Sequence, residues 1–70
     1  MKLFLLTWQD VDYDQYEGFL VAAPSSERAW ELVRIHYGGY GLPNGLPTIR
    51  HIGEGFQTAE TILFQANKGG

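Results

Sequence analysis

From Lys2 to Trp8 nearly every position is apolar or aromatic, in a run whose length suits a strand better than a helix. Alternation along that run places Leu3 and Leu5 on one face and Phe4, Leu6 and Trp8 on the other, as expected of a central strand. Polar and acidic residues fill Gln9 to Gln15. Apolar character returns from Glu17 to Ala23, where Phe19 and Val21 favour β structure and oppose Leu20 and Ala22. Two runs joined this closely predict an antiparallel hairpin.

At Pro24-Ser25-Ser26-Glu27 the periodicity changes. A serine there can cap a helix, and Glu27 in the first turn complements the helix dipole. Ala29, Leu32, Val33 and His36 or Tyr37 recur every three or four residues, with Arg28, Glu31 and Arg34 on the polar side, so a helix is predicted to about Tyr37. Gly38-Gly39 is the expected stop. Gly38 to Pro47 holds four of the nine glycines and two of the three prolines and reads as an irregular loop. Thr48 to Ile52 predicts a third strand, with Ile49 and His51 facing away from Arg50 and Ile52. Gly53-Glu54-Gly55 marks a turn. Thr61 to Asn67 predicts a fourth strand, with Ile62, Phe64 and Ala66 on one side and Thr61, Leu63 and Gln65 on the other, before a fraying Lys68-Gly69-Gly70 tail.

The order β-β-α-β-β predicts an α+β fold: residues 1–70 form one domain, a four-stranded, mainly antiparallel sheet with one helix packed on one face. A split β-α-β arrangement and a meander with one crossover both satisfy the pattern. One helix of about three turns covers only one face of four strands. The first two strands are apolar on both faces, so a surplus apolar surface remains. It is covered by the Gly38 to Pro47 loop, by a second copy in a homodimer, or by a partner.

Length sharpens this expectation. A chain of 70 residues buries only about 60% of the surface its unfolded form exposes, so its stability margin is thin. With 44% hydrophobic and 14% aromatic residues the composition is that of a packed domain rather than a disordered one. There is no cysteine, hence neither disulfide nor thiolate zinc site, and a reducing cytoplasm, that of a host cell, is compatible. The apolar run after Met1 ends at Thr7, too short for a signal core or a membrane span. A net charge of −3 with five scattered basic residues speaks against direct nucleic-acid binding and for a protein partner with a basic surface.

Asp10, Asp12 and Asp14 alternate as at the start of a calcium loop, but Gln15 stands where glycine is required and Val21 where glutamate is required, so no metal site is expected. The segment reads instead as a solvated hairpin tip, or as an acidic prong of Asp10, Asp12, Asp14 and Glu17 interleaved with Tyr13 and Tyr16. Charges of this kind steer encounter while aromatics supply contact area. Trp8, at the end of its strand beside the prong, is a candidate anchor, whereas Trp30 on the helix reads as core, near Val33 and Tyr37. Gly39-Tyr40-Gly41 and Gly53-Glu54-Gly55 lack the context of phosphate-binding loops. His36, near the helix end, and His51, in a strand, have no second ligand at metal spacing. No nucleophile elbow is present, so neither an enzyme nor a cofactor is implied.

Met1-Lys2-Leu3-Phe4-Leu5-Leu6-Thr7, Tyr13-Asp14-Gln15-Tyr16, Phe19-Leu20-Val21-Ala22-Ala23 and His51-Ile52-Gly53-Glu54 resemble the corresponding elements of short uncharacterised bacteriophage and prophage proteins. In those proteins the last element reads "YIGEA"; here Gly55-Phe56 follows Glu54. The resemblance spans most of the chain and implies a β-β-α-β-β fold without assigning an activity to any residue. A phage origin favours a non-enzymatic inhibitor of a host defence system, akin to small acidic anti-CRISPR proteins by analogy of size, charge and layout. Two alternatives remain open: a small-ligand or nucleotide-binding dimer with the glycine-rich loop as lid, and a structural component of a phage particle.

Overall fold

The computed structural model describes residues 1–39 and 41–67; Tyr40 and the Lys68-Gly69-Gly70 tail lie outside the described residues. Strands β1 (Lys2–Thr7) and β2 (Tyr16–Ala23) precede helix α1 (Ser26–Tyr37), and β3 (Thr48–Glu54) and β4 (Thr61–Asn67) follow it. The strands form one antiparallel sheet in the order β3-β1-β2-β4. The strands that are apolar on both faces thus occupy the centre, where both edges are hydrogen-bonded to neighbouring strands. The edges go to β3 and β4, which contain no fully buried residue.

Helix α1 begins where its capping chemistry dictates. Ser25 has extended backbone, and its Oγ accepts a hydrogen bond from the Arg28 amide at 3.2 Å. The helix stops at Tyr37, and the Gly38 N–H donates to the Arg34 carbonyl at 2.8 Å. Gly38 is right-handed rather than left-handed, so this end is a continued helical turn and not a glycine reversal. Ala29, Leu32 and Val33 from the predicted stripe pack on Phe4, Leu6, Phe19, Val21 and Ala23 to form the core. The helix N-terminus is also tied to the start of β4: Arg28 Nε donates to Glu60 at 2.7 Å, and its guanidinium bonds Glu31 and the second Glu60 oxygen.

Each edge strand departs from regular alternation. In β3 the Gly53-Glu54 pair predicted as a turn continues the strand, with Leu3 opposite Gly53 and Phe4 opposite His51, leaving Ile52 as an extra residue. In β4, Leu20 faces Phe64 and Val21 faces Ile62, so Leu63 is extra. This bulge separates Ile62 from Phe64. Ile62 joins the helix side with Val21, whereas Phe64 lies on the opposite face with Leu20, contrary to the alternation expected from sequence.

Candidate functional site

On the side opposite α1, register places residues in rows across the sheet: Arg50, Leu5, Leu20 and Phe64 in one, and Thr48, Thr7, Gly18 and Ala66 in the next. A third row, Gly53, Leu3, Ala22 and Thr61, lies at the end where residues 55–60 cross from β3 to β4. Gly55 approaches the Leu3 side chain there, and Ala22 is fully buried. The other two rows stay open. Gly18 and Ala66, paired side by side with almost no side-chain bulk, leave a depression of about 380 Å³ bounded by Leu5, Leu20, Phe64 and Glu17. Phe64 is 62% exposed beside it, and Ile52, Phe56 and Leu63 add apolar surface on the edge strands and the crossover.

The described part of the glycine-rich loop does not cover this face. Leu42 packs against the core, Pro43 is buried, and Leu42 and Pro43 line a groove with Trp30 and Arg34 of α1. The described part of the loop therefore lies in the helix layer. Gly41 and Gly45 adopt φ of +86° and +85°, conformations that favour glycine.

This loop and the β1–β2 hairpin tip are joined into one end of the molecule. The Tyr16 amide donates to Gly41 O at 2.9 Å, Gln15 Nε2 to Leu42 O at 3.3 Å and Trp8 Nε1 to Gly45 O at 3.3 Å. Within the tip, the Asp12 amide donates to Gln15 Oε1 at 3.0 Å, and the Gln15 amide donates to Asp12 O at 3.1 Å. Asp10, Asp12, Asp14 and Glu17 are exposed, as is Tyr13 at 75%. The structure brings these five together at one end as a charged rim.

It places the other two expected contact residues differently. Trp8 is half-buried, with edge contacts to Phe19 and Trp30 at 6.0 and 5.9 Å between centroids. Tyr16 packs on Phe19 and Tyr37 at 5.3 and 5.0 Å. Both support the acidic tip from within by fixing it to the aromatic core. Sequence reasoning passed over Arg50, Phe64 and the Gly18–Ala66 gap, because their grouping depends on strand order and on the Leu63 bulge. Strand-length alternation at Leu5 and Leu20 was the one signal available.

Electrostatically the remaining surface is settled by local pairs. Glu60 titrates below the ordinary carboxylate range because Arg28 hydrogen-bonds it, and the same bond, with that to Glu31, raises Arg28 further above its usual value. Arg34 lies over the Trp30 ring at 5.4 Å, and His51 Nε2 is 3.0 Å from Gly53 O and 3.1 Å from Glu54. Among the described residues the Arg50 side chain has no ion-pair or hydrogen-bond partner. Also among the described residues, no three His, Asp or Glu side chains converge as metal ligands, and no helix is long and apolar enough to cross a membrane. Comparison with protein-family models, curated proteins and solved structures found no match.

Proposed function

We propose that this chain is a non-enzymatic interaction protein whose contact surface is the open sheet face, with the acidic end steering it towards a basic protein surface. The observation that carries this reading is the Leu5–Leu20–Phe64 run beside the Gly18–Ala66 depression, which neither α1 nor the described part of the glycine-rich loop covers, because apolar surface left open on a small domain marks an interaction site. Asp10, Asp12, Asp14 and Glu17, grouped at one end with Tyr13, supply the long-range attraction that raises association rates with a positively charged partner. The resemblance to phage and prophage proteins makes a host defence complex the first partner class to test, with the chain occluding a basic channel in the host cytoplasm.

Affinity capture by the native protein, by Phe64→Glu and by the triple variant Asp10→Lys, Asp12→Lys and Asp14→Lys tests both surfaces. The triple variant loses partners held by charge, and Phe64→Glu loses those held by the sheet. Recovery of every partner by Phe64→Glu removes the open face from the account; recovery of every partner by the triple variant removes the acidic end.

A further inference from the structure

The open row Arg50–Leu5–Leu20–Phe64 has a cation at one edge and an aromatic ring at the other, with two leucines between them. That order is self-complementary under only one kind of two-fold axis. With two sheets stacked face to face about 10 Å apart, an axis parallel to the strands between β1 and β2 exchanges left and right edges and preserves the row. Arg50 of one copy then lies over Phe64 of the other, and Leu5 over Leu20, each contact occurring twice. An axis perpendicular to the strands would instead stack each strand on itself and set Arg50 against Arg50, two unneutralised guanidinium groups face to face.

We propose that the open rows form a homodimer interface with the two-fold axis parallel to the strands, so that each Arg50 inserts beside Phe64 into the other copy's Gly18–Ala66 depression; this rests on the open face being a contact surface. Three features fit Arg50 to that role. It is exposed and unpaired among the described residues, so inserting it breaks no existing ion pair. The depression offers an aromatic face for its guanidinium, apolar walls for its stem and the Glu17 carboxylate at the rim. Its volume of about 380 Å³ accommodates a long side chain without displacing Leu5 or Leu20.

The size of the patch sets the strength. Four strands about 4.8 Å apart and two rows about 7 Å apart cover roughly 300 Å² per copy, below the size of stable specific interfaces, so the dimer is weak and its population rises with concentration. The same axis keeps strand direction, so both acidic tips lie at one end of the assembly. Because each tip is tied to its own helix layer through Gln15–Leu42 and Trp8–Gly45, the two lie on opposite outer sides rather than against each other. A bivalent acidic end follows, which strengthens attachment to a basic surface by effective concentration without new contacts.

The mass of the native chain in solution is measured by sedimentation up to about 100 μM. A species of twice 7.9 kDa is expected, with the dissociation constant raised roughly tenfold by Arg50→Ala and more by Phe64→Glu. Orientation is read by cross-linking, since the native chain has no cysteine. Copies carrying Arg50→Cys mixed with copies carrying Phe64→Cys are expected to form mixed disulfide-linked pairs faster than either forms pairs with itself. Faster self-pairing of Arg50→Cys overturns the parallel axis, and a native chain that stays at 7.9 kDa throughout overturns the dimer. The contact-surface reading fails separately, through undiminished capture by Phe64→Glu. Both substituted positions are exposed, and circular dichroism of each variant confirms that the fold is retained.

Discussion

Replacing Phe19 by alanine should remove much of the stability of this domain. Phe19 is 1% exposed and sits where the sheet, the helix end and the hairpin meet, with the rings of Trp8, Tyr16 and Tyr37 at 6.0, 5.3 and 5.0 Å from its own. Truncating a buried phenylalanine costs about 3–5 kcal/mol, and the upper half of that range applies because aromatic pairs add to the area lost. A 70-residue domain holds about 3.5–10 kcal/mol in all, at about 0.05–0.15 kcal/mol per residue. Phe19→Ala therefore consumes about two fifths of the margin at least and the whole of it at most. Urea unfolding followed by fluorescence of Trp8 and Trp30 measures this directly. With a slope of about 1 kcal/mol per molar urea, the midpoint falls by about 4–5 M or the variant is unfolded in buffer. Phe19→Leu keeps most of the volume and costs about 1–2 kcal/mol. The control is Phe56→Ala, at a fully exposed position, which shifts stability by no more than about 0.5 kcal/mol. A Phe19→Ala loss below about 1.5 kcal/mol, or equal losses at both positions, would refute this assignment of the core.

Ser25→Ala deletes the side-chain cap on the Arg28 amide and should cost about 1 kcal/mol in the same unfolding assay, with Ser25→Asp close to neutral. Gly41→Ala should cost more than Gly45→Ala although both have positive φ. An added Cβ at Gly41 meets the Tyr16 ring at 3.1 Å, whereas at Gly45 it meets open space, so the latter loses only the backbone term of about 1 kcal/mol. Glu60, depressed by Arg28, stabilises the fold above its ordinary pKa of 4.5, and that contribution disappears as pH falls through its lower folded-state value. Melting temperature should decline below about pH 4.5 in the native protein and decline less in Glu60→Gln; parallel curves would show that the Arg28–Glu60 bond contributes nothing to stability.

The order of elements, the capping of α1 at Ser25, the core stripe Ala29-Leu32-Val33 and the central position of β1 were legible in the amino-acid pattern, because each follows from local periodicity or capping chemistry. The two apolar faces of β1 and β2 were legible there too. That β3 and β4 flank the hairpin on opposite sides emerges in the folded sheet alone, because strand order depends on how connections of different length close over it. Register then did what alternation could not. The extra residues Ile52 and Leu63 shift side chains from one face to the other, so Phe64 faces Leu20 while Ile62 faces Val21. Trp8 and Tyr16 were expected at a contact surface by their place beside the acidic tip. Both are half-buried, packed by Phe19, Trp30 and Tyr37, and Trp8 also lines the depression on the open face. The glycine-rich loop has no residue that dictates which face it chooses. The Trp8–Gly45, Gln15–Leu42 and Tyr16–Gly41 hydrogen bonds hold it to the helix layer, and that leaves the open face as the surface on which function is proposed.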